Sequence, residues 1–326
     1  MSGAPIRVVA AAIGGEQGRI LIAQRRHGTH QGGLWEFPGG KLEAGESRQE
    51  GLHRELAEEI GIEVEASRPL IRVHHDYGDR RVELDVHRVS RFAGRPIGRE
   101  GQPLAWIHPD QMDPTRFPAA DRPVIRALQL PERLLITGAD PTQPSAFLAQ
   151  LARALASGIR LVQLRAPQLD AAAYARLAEL AYRLCEAHGA RLLLNADPRL
   201  AGELPCHGLH LNAARLRTLA ARRDPADFRV DLRPDLWLGA SCHDALELAL
   251  TERLGLDYAL LSPVRPTASH PGAPTLGWSR FAALIEPIGR PVYALGGLAE
   301  TDLPAAWDAG AQGIAAIGAF WPEADS

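Results

Sequence analysis

The chain has 326 residues, 46% hydrophobic, 23% charged and 6% aromatic, with a formal net charge of −3, the profile of a soluble globular protein of two domains. No apolar run approaches the roughly 18 residues a membrane-spanning helix needs, and neither half has the basic excess that marks a nucleic-acid grip. Three cysteines, Cys185, Cys206 and Cys242, cannot build a disulfide framework, which points to a reducing cytoplasm.

In chain order, extended segments are expected at Arg7 to Ile13, Ile20 to Gln24, Trp35 to Phe37, Arg68 to His75, Arg81 to Ser90 and Ala105 to His108. One clear helix runs from Ser47 to Ile60, with Leu52, Leu56 and Ile60 as its buried stripe and Gly61 as its stop. Pro123 to Leu128 forms a last helical turn or two. The sole lysine, Lys41, precedes Leu42, so there is no Walker P-loop, and beyond residue 41 no side chain can form a Schiff base.

Punctuation near Pro131 separates a domain of residues 1–129 from one of residues 130–326. The second domain alternates strand and helix. Its apolar runs are Leu134 to Thr137, Arg160 to Leu164, Arg191 to Asn195, Gly208 to Leu211, Leu236 to Ala240, Tyr258 to Leu261, Pro291 to Leu295 and Gly313 to Ile317. Eight strand-helix repeats in this length predict a compact (β/α)₈ TIM barrel. The first domain reads as mixed α and β.

Chemistry concentrates in the first domain. Glu55, Glu58 and Glu59, spaced by three and four positions, share one helix face, where like charges repel unless a cation sits among them. Hard oxygen donors of this kind suit Mg²⁺ or Mn²⁺, which bind few carboxylates and substrate phosphates besides. A generic glutamate-rich helix would merely present a solvated face. The order of Gly40, Glu46, Arg54, Glu55, Leu56, Glu58, Glu59, Gly61 and Ile62, however, matches every position of the Nudix box, and this stretch resembles that family.

The resemblance implies an α/β/α sandwich with a mixed sheet and hydrolysis of a nucleoside diphosphate linked to another group. It further implies that Glu55, Glu58 and Glu59, with the backbone carbonyl of Gly39, hold the metal. Arg54 would orient Glu55, Glu46 would brace the loop, and Glu55 or Glu100 would take the proton of the attacking water. Arg25-Arg26, His30, the run Trp35 to Lys41, Gly98 to Pro103 and Phe117-Pro118 through Ile125 resemble the MutT type, which converts 8-oxo-dGTP to 8-oxo-dGMP and pyrophosphate and so averts replication errors. By position, Arg26, His30 and Lys41 would meet the nucleotide, and Glu36, Phe37, Pro38 and Gly39 would line the purine pocket. Asp121 stands where the MutT pattern has asparagine. An ionised carboxylate only accepts hydrogen bonds, so either Asp121 is protonated by burial or base recognition is looser.

The second domain resembles thiamine phosphate synthase and its TenI-type relatives through Val162 to Arg165, Leu193 to Asn195, Gly208 to Leu211, Gly239 to His243, Ser262-Pro263, Pro266-Thr267 and Ala294 to Leu298. Gly296, Gly297 and Gly318 fall where barrels commonly hold phosphate, so a phosphorylated ligand is expected there. Synthase activity is not expected: Ala196 and Arg215 stand where the resemblance calls for aspartates, Pro167 and His270 where it calls for lysines. The histidine of a TenI-type tautomerase would fall at Pro263. Cys242-His243 reads as a core cysteine beside a histidine rather than as a nucleophile and base. Other readings are a Nudix hydrolase for another nucleoside or thiamine-related pyrophosphate, and a barrel that regulates the first domain by binding a ligand.

Overall fold

A computed structural model describes residues 4–28, 30–138, 140–222, 233, 235–267, 272 and 274–321; His270 lies outside them. The chain divides into two compact units, Met1–Gln129 with Glu286–Pro291, and Leu130–Ile285 with Val292–Ser326.

The first unit is built on a seven-stranded sheet. Its strands are β1 (Ile6–Gly14), β2 (Ile20–Gln24), β3 (Trp35–Glu36), β4 (Gly39–Lys41), β5 (Glu63–Asp76), β6 (Arg81–Ala93) and β7 (Leu104–Ile107). The main path is β3-β2-β1-β6-β5, with β4 on β1 and β7 on β2. Only β1 and β6 run parallel, so the sheet is mixed. Helix α1 (Arg48–Ile60) covers one face and α2 (Arg122–Gln129) the other.

Alternation along β1 shows why its centre reads as an unbroken apolar run. Val9, Ala11 and Ile13 pack with Leu52, Leu56 and Ile60 of α1, whereas Ala10 and Ala12 pack with Val124, Ile125 and Ala127 of α2. A strand covered on both faces needs apolar residues at every position.

Two expectations are refined. The strand expected over Trp35 to Phe37 ends at Glu36, and a further short strand not foreseen, β4, follows at Gly39, where φ is +152 and a Cβ would lie 2.1 Å from Val9 O. Strand β5 begins five residues before Arg68, through alternating exposed Glu63 and Glu65 and through register shifts that blur its apolar period.

The second unit is a closed barrel of eight parallel strands: β8 (Arg133–Ile136), β9 (Leu161–Leu164), β10 (Arg191–Leu194), β11 (Gly208–Leu211), β12 (Trp237–Cys242), β13 (Tyr258–Leu261), β14 (Val292–Leu295) and β15 (Gly313–Ala316). Each lies within two residues of its expected bounds. Leu134, Leu161, Leu193, Tyr258, Tyr293 and Ala315 form the interior cluster. The next inward residue on each strand, two positions on, faces the same axis. All three cysteines are free and buried, and burial raises the Cys242 thiol well above its ordinary range, in keeping with an inert core position. Among the described residues no helix is long and apolar enough to cross a membrane.

Candidate active site

Helix α1 starts at a reciprocal cap. Ser47 Oγ accepts from the Glu50 amide at 3.3 Å, and Glu50 Oε2 accepts from the Ser47 amide at 2.9 Å. Gly61, at φ +72, ends the helix in the left-handed conformation. Leu52, Leu56 and Ile60 are fully buried, and the flanking face, with Arg54, Glu55, Glu58 and Glu59, meets β4 and the loop that follows it.

Arg54 is the hub of that face. Its Nε and Nη2 donate to the two oxygens of Glu46 at 2.8 and 2.9 Å, a bidentate pair that holds the Glu46 carboxyl down at about 2. The Glu46 carboxylate also accepts from the Glu43 amide at 2.9 Å, which braces the loop. Arg54 Nη1 donates to Glu55 Oε1 at 2.8 Å and to Glu58 Oε2 at 3.3 Å, and Nη2 donates to the Lys41 carbonyl at 3.1 Å. Glu55 in turn lies on the bare backbone of Gly40: a Cβ there would sit 2.2 Å from Glu55 Oε2. Glu58 is the outermost of the three, with its side chain 65% exposed.

Glu59 turns inward. Its Oε2 accepts from the Gly39 amide at 2.8 Å and its Oε1 from Gln102 Nε2 at 3.2 Å. Burial is the main cause that pushes its carboxyl up to about 7, and the charges of Glu36 and Glu100 push the same way against those two hydrogen bonds. Gln102 also donates to the Glu59 carbonyl and accepts from the Glu100 amide at 2.9 Å. Arg99 adds bonds to the carbonyls of Ala57 and Glu59 at 2.7 and 2.9 Å. These latches bring Glu100, distant in sequence, beside the end of α1. Arg26 pairs with Glu100 through its backbone carbonyl and, at 3.4 Å, its carboxylate.

On the other side of β4 lies the region expected to read the base. Asp121 is 6% exposed, and its carboxyl is pushed up to about 8, first by burial and then by Glu36, while Arg25 and the Phe37 amide pull it down. Glu36 is ion-paired with Arg25. Phe37 is buried against Phe117, with ring centroids 5.9 Å apart. The Pro38 carbonyl accepts from the Ala11 amide at 2.8 Å. His30 meets Tyr77 edge-on at 5.5 Å, and the Tyr77 hydroxyl accepts from the Ala120 amide at 3.2 Å, beside Asp121. Lys41 is exposed at the end of β4.

The donors suit a hard divalent cation. They are carboxylate and carbonyl oxygens, the donor type that such a cation prefers. Among the described residues, no three His, Cys, Asp or Glu side chains already converge, since Arg54 draws Glu55 and Glu58 one way while Gly39 and Gln102 hold Glu59 another. Reading the sequence overlooked Gln102 and Tyr77 as parts of the site. Gln102 lies two positions from Glu100, but no spacing rule foretells that its amide reaches Glu59.

In the barrel, Gly296, Gly297 and Gly318 follow β14 and β15 at the carboxyl ends of the strands. A Cβ on Gly296 would come within 2.9 Å of Pro263, and one on Gly297 within 2.1 Å of the Pro266 carbonyl, so close packing against that loop requires both glycines. At Gly318 a Cβ would meet open space.

Comparison with known proteins finds two families. The family model described as thiamine monophosphate synthase matches residues 134–320, and the one described as NUDIX domain matches residues 8–127. The 8-oxo-dGTP diphosphatase of Escherichia coli (strain K12) is 34% identical over 124 residues, covering 38% of this chain and 96% of that protein. The CTP pyrophosphohydrolase of the same strain is 38% identical over 122 residues, or 37% of this chain and 90% of that protein. The thiamine-phosphate synthase of Chromobacterium violaceum is 34% identical over 196 residues, or 60% of this chain and 91% of that protein.

Proposed function

We propose, for a chain that belongs to the Nudix family over residues 8–127 and to the thiamine monophosphate synthase family over residues 134–320, that the first unit hydrolyses 8-oxo-dGTP to 8-oxo-dGMP and pyrophosphate. Buried Asp121 beside the Phe37 amide is the observation that carries the choice of base. Held at about 8, its carboxyl is mostly protonated at neutral pH and can donate as well as accept, as an asparagine amide does. A neutral acid meets both O6 and N7-H of 8-oxoguanine.

Mg²⁺, or Mn²⁺ in its place, would be held by Glu55, Glu58, Glu59 and the Gly39 carbonyl, where it would offset phosphate charge and acidify a water. The protein's own groups supply the rest. Arg54 fixes Glu55 at 2.8 Å through a guanidinium already anchored on Glu46. Gln102 fixes the loop bearing Glu100. The water oxygen bonds to phosphorus as the bridging P–O bond breaks, and its proton passes to the carboxylate of Glu55 or Glu100. Arg26 and Lys41 offer positive charge to the phosphates, with His30, Glu36 and Pro38 around the base.

A second reading, a cytosine nucleotide, draws on the same Asp121. Once ionised, a carboxylate accepts from an exocyclic amine, and the CTP pyrophosphohydrolase is as similar as the diphosphatase. The test compares kcat/KM of the full chain for 8-oxo-dGTP, dGTP and CTP with Mg²⁺ by pyrophosphate release. A preference for 8-oxo-dGTP of about 100-fold or more supports the first reading. CTP as the best substrate supports the second, and failure of all three moves the search to other organic pyrophosphates.

A further inference from the structure

The turn that carries Asp121 has no cap of its own. Residues Ala119–Asp121 form a single 3-10 turn that runs directly into α2, and the first amides of a helical turn have no partner within it. The residue before it is Pro118, whose side chain offers no acceptor. The Asp121 amide donates back to the Pro118 carbonyl at 3.0 Å. The Ala120 amide finds its acceptor elsewhere, and with Ala120 only 3% exposed that acceptor has to come from the protein.

Tyr77 supplies it from 43 positions away: its hydroxyl accepts from the Ala120 amide at 3.2 Å. Tyr77 sits just past the end of β5, in the turn that joins β5 to β6. There its own amide donates to the Arg80 carbonyl at 2.9 Å, Asp76 Oδ1 accepts from the Gly78 amide at 2.7 Å, and Gly78 takes φ +88. The backbone of the tyrosine is thus fixed by the sheet, not by the turn that it caps. Its ring is fixed as well, edge-on to His75 at 4.4 Å and to His30 at 5.5 Å, against the core cluster that contains Phe37, Phe117 and Ala120. Burial chiefly raises the hydroxyl, and Asp121 adds to that against the pull of the Ala120 bond, so the oxygen accepts while keeping its proton.

One side chain therefore joins two separate parts of the base-reading region, the loop of His30 and the turn of Asp121. The Phe37 amide meets the Asp121 carboxyl, while Tyr77 holds the backbone just before it. Removing the phenolic oxygen leaves the ring packing in place and deprives one buried amide of its partner. The turn relieves that amide by shifting, and Asp121 shifts with it. A displacement of about 1 Å is enough to spoil a contact that must meet a donor and an acceptor of the base together.

We propose that Tyr77 is a specificity-determining positioning residue: its hydroxyl pins the turn of Asp121 and so sets which base the first unit prefers. It acts through Asp121, without touching the base and without a part in breaking the P–O bond. This inference rests on the hydrolase reading and deepens it.

The test is Tyr77→Phe in the full chain, with circular dichroism as the check of folding and kcat/KM measured for 8-oxo-dGTP, dGTP and CTP with Mg²⁺. The wild-type preference for its best substrate over its poorest is expected to shrink at least about tenfold, the loss falling on KM rather than on kcat. Without nucleotide, the amides of residues 119–121 are expected to exchange faster in the variant. In an Asp121→Ala background, Tyr77→Phe is expected to lower kcat/KM of the best substrate no further, because effects that pass through one group do not add. An unchanged preference, an equal loss for all three nucleotides, or unchanged exchange overturns the proposal. So does a full second loss in the Asp121→Ala background, which would put Tyr77 on the base itself. Wild-type protein that turns over none of the three overturns the hydrolase reading and this proposal together, whereas a wild-type preference that survives in Tyr77→Phe overturns the proposal alone.

Discussion

The Gly39 amide donates to Glu59 Oε2 at 2.8 Å, tying β4 to the innermost carboxylate of the glutamate helix. Glutamine at 59 keeps an oxygen for this bond and removes the charge. Glu59→Gln is therefore expected to lower kcat by about 10³-fold, the scale of losing one strong charge-stabilising group, with the melting temperature held or raised. Steady-state kinetics beside a thermal melt decides it; retained turnover would remove Glu59 from the metal set.

Stability without metal depends on pH in a direction fixed by two carboxyls. Glu59 rises from an ordinary 4.5 to about 7, and Asp121 from 3.8 to about 8. Both bind a proton more tightly folded than unfolded. Their contribution is complete below about pH 4 and is lost as pH climbs toward 8. In EDTA the urea midpoint of the first transition should fall between pH 5 and 8, and the double variant Glu59→Gln, Asp121→Asn should flatten that slope. A midpoint that rises over this range contradicts the assignment.

Base selection should titrate with Asp121. The wild-type preference for 8-oxo-dGTP over dGTP is expected to decline as pH passes about 8, while Asp121→Asn, whose amide never ionises, keeps a constant ratio. Measuring kcat/KM for both nucleotides from pH 6 to 9 separates this from a general loss of activity, because only the ratio matters. A ratio that stays flat in the wild type removes Asp121 from base recognition.

Gly40 is held to glycine by the carboxylate above it. In Gly40→Ala the new methyl would lie 2.2 Å from Glu55 Oε2, so Glu55 must leave its bond with Arg54. An activity loss of at least about tenfold is expected, with the helical circular dichroism signal intact. Full activity would show that Glu55 can work from another position.

The two folds and much of the candidate site were legible because they rest on local pattern. Leu52, Leu56 and Ile60 announce the buried stripe of α1, and the spacing of Arg54, Glu55, Glu58 and Glu59 announces its outer face. All eight barrel strands read as short apolar runs because parallel strands are buried on both faces. What stayed hidden depends on approach between distant segments. The strand β4 exists because Gly39 lets the backbone close on Val9, and nothing in three residues of sequence states that. Gln102 reaches Glu59 across 43 positions. The sequence leaves Asp121 between protonation and looser recognition, and its burial beside Glu36 favours the first.

Lys41, the sole lysine, stands exposed at the last residue of β4 with its carbonyl on Arg54. A lysine-specific protease has therefore one bond to cut in the whole chain, and that bond joins β4 to the segment leading into the glutamate helix. Cleavage there needs the local backbone to open. The rate of a single nick, followed on a gel with and without added Mg²⁺ or nucleotide, becomes a clock for how often this segment opens, with no label attached and no residue changed.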